Sequence, residues 1–193
     1  MSRPKHVRKG IHTGRFPSGR SHAVRNYAVR IVAAVAVAAP VAVAGPAEAA
    51  PPPPPCLASD LALSWASGGT AVPGGGTPGT EKTALVALRN LARVTCMLDG
   101  FPKVTLVQGD RTQTLAKAPV AHSAVTVEPG TAARFTLTFK SARAGEEGAI
   151  EPVTAVVTPP NNTASKNLRW PWGQVAEQGS GTRLVNFVSP AHN

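Results

Sequence analysis

The chain has 193 residues, of which 42% are hydrophobic and 16% are charged, and its formal net charge at pH 7 is +10. Such an excess of positive charge normally indicates an anionic partner, for example nucleic acid or a membrane surface. The distribution of the charge argues against that interpretation, because eight of the twenty Lys and Arg residues precede residue 31 and no acidic residue lies among them.

A secretory signal peptide accounts for this basic segment. It is followed by the apolar run IVAAVAVAAPVAVAG at 31–45 and by the small residues AEA at 47–49, an order typical of signal peptides. We therefore predict a signal peptide with a long basic n-region over residues 1–49, cut after Ala49. The alternative is a retained membrane anchor, but the run is interrupted by Pro40 and is shorter than the roughly 20 residues that cross a bilayer.

The predicted destination is outside the cytoplasm. No Arg-Arg pair precedes the apolar run, which favours the general secretory route, and the prolines before Cys56 leave no lipobox. We expect a secreted or cell-wall-associated protein with no stable membrane anchor after cleavage. Residues 50–193 contain twelve Lys or Arg and nine Asp or Glu, a net charge of +3, so we expect no nucleic-acid partner.

The rest of the chain predicts β-structure. Residues 50–55 form a proline-rich spacer, and residues 56–193 have the length of a single domain with its own core. Apolar and polar residues alternate most clearly in ARFTLTF at 133–139, as in a strand with one buried face. Similar but weaker patterns occur at 61–65, 84–90, 103–108, 112–116, 124–127, 153–157 and 183–188.

Turn residues separate these segments. Gly109-Asp110 suits a type II′ hairpin and Pro129-Gly130 a type II turn, while the Gly- and Pro-rich residues 68–80 predict a loop. Short alternating segments with frequent turns are typical of antiparallel sandwiches. We therefore predict an all-β antiparallel sandwich of seven or eight strands behind the signal peptide.

The two cysteines, Cys56 and Cys96, both follow the predicted cleavage site. An even number of cysteines in an oxidising compartment predicts a disulfide. The alternatives are free thiols, a nucleophile or a metal site. A nucleophile needs a base, and only His122 and His192 remain after cleavage; zinc needs about four ligands at recognisable spacing, and the sequence has no CxxC. We predict a structural disulfide, and no catalytic residue, metal or cofactor.

The surroundings of Cys96 carry a resemblance to a known family. A leading cysteine is followed by a strand that closes on Asn, by TCMLDGFPKVTLV at 95–107, and by a Pro-Gly turn before an alternating strand. This order resembles the actinobacterial exported domain of unknown function 4232. The matching residues are Cys56, Asn90, Cys96, Leu98, Gly100, Phe101, Pro102, Val104, Leu106, Pro129 and Gly130. The resemblance implies an immunoglobulin-like sandwich and brings no activity with it. The chain lacks the lipidation signal of many relatives, and it has Glu151-Pro152-Val153 where some carry a further cysteine.

One segment is a candidate ligand surface. Trp170 and Trp172 are separated by Pro171 and should project from the same side of an extended segment, next to Arg169. Such a pair could stack on a sugar ring or a peptide, or it could close one end of the sandwich. These residues are the predicted ligand surface, and packing is the alternative.

The functional hypothesis is an exported, non-enzymatic β-sandwich that binds an unknown partner at the cell envelope or outside the cell, possible ligands being a glycan or a peptide. The alternative is a secreted hydrolase acting on cell-wall polymer or glycan, which would need acidic residues converging near His122. A third hypothesis, a polyanion binder, would need Arg89, Arg93, Arg134 and Lys140 to form one exposed stripe.

Overall fold

Two antiparallel sheets face each other around one apolar core. The computed structural model describes residues 50–74, 76–179 and 185–193, so the predicted signal peptide lies outside the described residues. Within them the structure has no α-helix, a single turn of 3-10 helix at Ala58–Asp60, and eleven strands. The strands are β1 Leu61–Ala66, β2 Glu81–Asn90, β3 Cys96–Leu98, β4 Lys103–Gln108, β5 Arg111–Thr114, β6 Ala116–Lys117, β7 Val125–Val127, β8 Ala132–Lys140, β9 Thr154–Thr158, β10 Lys166–Arg169 and β11 Phe187–Val188.

The strands form two large sheets and one small one. The first large sheet has the order β1-β2-β8-β11-β6 and the second β10-β9-β4-β5, while β3 and β7 pair separately. Every pair is antiparallel except β11 with β6. The predicted all-β antiparallel sandwich is confirmed. The strand number is higher than predicted because β3, β6 and β10 were not predicted as separate strands, and β3 and β6 have only three and two residues.

The alternation of apolar and polar residues along the strands determines which side chains form the core. Ala133, Phe135, Leu137 and Phe139 of β8 are all fully buried, and the inward residues of β2, β4 and β9 join them in one cluster. Because successive side chains of a strand point to opposite faces, each of these strands buries every second residue. The long alternating segment at 133–139 was therefore the most informative part of the sequence.

The two predicted turns are also confirmed. Gly109 has φ +55° and connects β4 to β5 through a two-residue hairpin. Gly130 has φ +76°, and the Thr131 N–H donates to the Glu128 carbonyl across the turn before β8. Positive φ is the conformation for which glycine is favoured.

A disulfide joins Cys56 to Cys96, as predicted, with the two Cα atoms 4.8 Å apart. The cysteines are 1% and 5% exposed, and Cys96 is the first residue of β3. The Cys56 N–H donates to the Met97 carbonyl, and the Met97 N–H donates to the Pro54 carbonyl. The end of the proline-rich segment is therefore attached to the edge of β3.

The buried Asn90, the last residue of β2, bonds to the chain that leads toward the disulfide. Its side-chain amide donates to the carbonyls of Val94 and Val127, and its oxygen accepts from the Ala92 N–H. These bonds shape the connection that carries the chain from β2 to the disulfide-bearing β3. Asn90, which is one of the residues that match the family pattern, thus has a structural role.

Replacing Asn90 by Ala is expected to lower the free energy of unfolding by about 2–3 kcal/mol, because it removes the three hydrogen bonds of a fully buried side chain and leaves the buried Val127 carbonyl without this partner. Denaturant unfolding of the purified protein measures this. The matched control is Asn167→Ala on the exposed side of β10, which should change the free energy of unfolding by less than about 0.5 kcal/mol. Equal effects of the two substitutions would contradict the structural role of Asn90.

Candidate functional site: a groove at one end of the sandwich

The predicted ligand surface lies where β10 ends, beside the lateral edge at which the two sheets meet. The Trp65 indole N–H of β1 donates to the Arg169 carbonyl of β10 at 2.8 Å, and the Lys166 ammonium donates to the Leu61 carbonyl. These side-chain contacts cover backbone groups that an edge strand would otherwise expose. They also fix Arg169 and the residues after it relative to the first sheet.

Trp170 belongs to the core. It is 5% exposed, its ring centroid lies 4.9 Å from that of Phe139 in an edge-to-face contact, and its indole N–H donates to the Gly173 carbonyl at 2.8 Å. Trp170 therefore packs in the core, and most of its ring is not accessible to a ligand.

Trp172 is only partly buried. Its ring lies 5.6 Å from that of Trp65, which in turn lies 5.8 Å from Trp170, so three indoles form one cluster with Trp65 at its centre. The indole nitrogen of Trp172 is buried and has no hydrogen-bond partner among the described residues. The Gly74 N–H donates to the Pro171 carbonyl, which attaches the Gly-rich loop to this segment. Sequence reasoning placed Trp65 only in a strand, and nothing near it in the sequence indicates the cluster.

Three connections converge beside this cluster. The β4–β5 hairpin brings Gln108 and Arg111, the connection between β8 and β9 brings residues 143–153, and the segment after β10 brings residues 169–179. Ile150 and Val175 exchange backbone hydrogen bonds, which hold the second and third connections together. The side chains that these connections present to solvent surround three depressions that share lining residues.

We call these three adjoining recesses together the end groove. The first, about 460 Å³, is lined by β5 and by residues 177–179. The second, about 340 Å³, has Arg111, Glu146 and Glu151 among its walls. The third, about 350 Å³, contains Arg169, the edge of Trp170 and the exposed Val153. The second recess shares Arg111 with the first, and Glu151 with the third.

The charges of the end groove differ from those of the domain around it. Its arginines are Arg111, Arg143 and Arg169, and its acidic residues are Glu146, Glu147, Glu151 and Glu177. All seven are exposed, although Arg111 donates to the Gly148 carbonyl and the Glu146 carboxylate accepts from the Arg143 backbone N–H. The groove can therefore offer both hydrogen-bond donors and carboxylate acceptors to a ligand.

His122 lies away from the end groove. Its Nε2 is 3.4 Å from an oxygen of Asp99, both side chains are nearly half exposed, and its ring contacts Phe101. Asp99 and Phe101 precede β4 whereas Gln108 ends it, so the pair and the groove lie at opposite ends of that strand. The acidic residues of the groove do not converge on His122. Among the described residues, no cluster of three or more potential metal ligands occurs.

The four basic residues that the polyanion-binding hypothesis requires lie in different parts of the domain. Arg89 and Arg134 are diagonal neighbours on the outer face of the first sheet, since Arg134 pairs with Ala87. Lys140 lies at the far end of the same strands opposite Glu81, and Arg93 lies in the connection after β2. The four residues do not form one stripe.

Fold and disulfide define the class of the protein: a disulfide-bonded, immunoglobulin-like antiparallel sandwich. Residues 56–186 match the family described as "Domain of unknown function (DUF4232)", and the chain belongs to this family. No curated protein and no solved structure shows significant similarity to the chain. Among the described residues, no helix is both long enough and apolar enough to cross a bilayer.

Proposed function

We propose that the protein is an exported, non-enzymatic binding domain of the cell envelope, and that the end groove is its ligand site. The observation that carries this proposal is the groove itself, which joins the exposed Arg169 to polar recesses built from three separate connections. Clefts with a few converging polar groups are the usual position of ligand sites. The rigid sandwich behind the groove suits binding, because it holds the three connections in fixed positions.

Export is supported by the buried disulfide, which suits an oxidising compartment, and by the basic, apolar and small-residue segments before Ala50. Protein recovered from the culture medium should begin at Ala50 or within the following prolines, as N-terminal sequencing would show. A charge in the apolar run, Val35→Arg, should retain the chain inside the cell. Recovery from the cytosol alone, with residues 1–30 intact, would contradict export.

The binding proposal is tested with soluble disaccharide–peptide fragments of the cell wall as the probe. Binding should change the Trp fluorescence of the purified protein, because Arg169 adjoins the tryptophan cluster. Arg169→Ala should weaken binding at least tenfold, since a hydrogen bond to a charged group contributes about 1.5–3 kcal/mol. The matched control is Arg134→Ala on the outer face of the first sheet, which should bind normally. If the two variants bind equally, the groove is not the site for this probe.

The second candidate, a hydrolase of wall polymer, is favoured by one observation: Glu146, Glu147 and Glu151 line the same recess. Paired carboxylates are the groups that glycoside hydrolysis uses. The same incubation with wall fragments distinguishes the two functions. A binding domain leaves the fragments intact, whereas release of new reducing ends that is lost in Glu151→Gln would establish the hydrolase instead.

A further inference from the structure

The first recess of the end groove runs along a strand edge. Just beyond the β4–β5 pair, the Leu115 N–H donates to the opposite Val104 carbonyl at 2.9 Å. This bond determines which residues of β5 are hydrogen-bonded to β4 and which are not. Because bonded and non-bonded residues alternate in antiparallel pairs, Arg111 and Gln113 bond to β4. The backbone N–H and C=O groups of Thr112 and Thr114 therefore point to the other side. Within the described ranges, neither of these N–H groups donates a hydrogen bond.

The recess leaves room beside this edge. Its volume is about 460 Å³, with β5 along one wall and residues 177–179 along the other. The buried Gln113 and Ile150 lie at its base, and the Gln113 amide is held by a hydrogen bond to the Ala176 carbonyl at 3.1 Å. The side-chain oxygen of Gln178, also in this recess, is buried and accepts no hydrogen bond from the described residues. The outward backbone groups of Thr112 and Thr114 thus lie beside a recess that a ligand could enter.

The charge around the edge favours a cationic ligand. The first and second recesses together contain two arginines, Arg111 and Arg143, and four glutamates. They carry a net charge of −2 in a domain whose residues 50–193 carry +3. Complementary charge of this kind increases association rates and selects among partners.

We infer that β5 binds an extended peptide segment bearing Lys or Arg, which adds to the edge as a further strand. An exposed strand edge is complementary to an extended main chain, and the addition of a strand to an edge is a recurring mode of peptide recognition. Thr112 and Thr114 supply the main-chain bonds, and the glutamates receive the basic side chains. This inference rests on the proposed function and specifies the partner of the same groove.

The test uses a dye-labelled octapeptide of alternating Lys and Thr, and fluorescence anisotropy with the purified full chain. Thr112→Pro removes the outward N–H without removing a bond to β4, because proline is tolerated where an edge N–H faces solvent. It should weaken binding at least tenfold. Thr112→Val keeps the N–H and should bind like the unmodified protein. A peptide with Glu in place of Lys should bind at least tenfold more weakly, and added salt should weaken the Lys peptide.

Two further peptides keep the test decisive if Thr112→Pro does not fold. One is N-methylated at the odd-numbered amides and the other at the even-numbered amides. At least one of them should bind at least tenfold more weakly than the parent peptide. If both bind like the parent peptide, strand addition is wrong. If wall fragments bind at Arg169 while no peptide binds, the inference fails and the proposed function stands. Dimerisation of the chain that Thr112→Pro abolishes, without peptide binding, would assign the edge to a second copy and overturn the inference.

Discussion

Replacing both Cys56 and Cys96 by Ala is expected to lower the free energy of unfolding by about 4 kcal/mol. The disulfide closes a loop with a sequence separation of 40 residues, and the chain-entropy relation gives about 4 kcal/mol for a loop of that length. The substitutions also remove the covalent link that holds Cys56, at the start of the domain, to β3. Denaturant unfolding of the oxidised protein and the double variant measures the loss.

The disulfide itself can be tested without substitution. The intact mass should rise by two hydrogens on reduction, and the native unreduced protein should not react with a maleimide, because both sulfurs are bonded and buried. A double variant as stable as the original protein would show that the disulfide does not stabilise the fold. Labelling of both cysteines in the native protein would show that it does not form.

Trp170→Ala should cost about 3–5 kcal/mol of unfolding free energy, as expected for the truncation of a buried Trp in a well-packed core. The substitution removes the edge-to-face contact with Phe139 and the hydrogen bond to the Gly173 carbonyl. Denaturant unfolding measures the effect in the purified protein.

Trp172→Ala is the matched control, since Trp172 lies two residues away and is only partly buried. Its loss should be smaller, under about 2 kcal/mol, because part of the ring is already in contact with water. A loss for Trp172→Ala as large as that for Trp170→Ala would contradict the difference in burial between the two rings. It would also show that Trp172 is committed to packing, which would leave Arg169 as the member of the predicted ligand surface that is free to bind.

The sequence predicted the parts of the fold that depend on local chemistry. Alternation over 133–139 predicted β8, and the turns at Gly109 and Gly130 follow from the positive φ that each requires. β10 was missed because Leu168 is the single buried residue among its four. A strand whose pairing depends on neighbours such as β9, rather than on its own pattern, leaves little trace in the sequence.

The candidate site was less predictable than the fold. Arg169 was identified from its tryptophan neighbours, but Arg111, Glu151 and Glu177 gave no signal because they come from connections far apart in the sequence. Their proximity depends on tertiary pairing, such as that between Ile150 and Val175. The sequence could not decide between packing and binding for Trp170, because the same apolar ring serves either role until its neighbours are known.

The binding proposal is tested most directly by hydrogen–deuterium exchange of the purified protein, measured with and without insoluble cell-wall material. We expect slower amide exchange in residues 109–114, 148–153 and 169–179 when wall material is present, with no release of soluble wall fragments. Slower exchange confined to the residues of β2 and β8 would contradict the assignment of the end groove as the binding site. Release of fragments would contradict the proposal that the protein binds without catalysis.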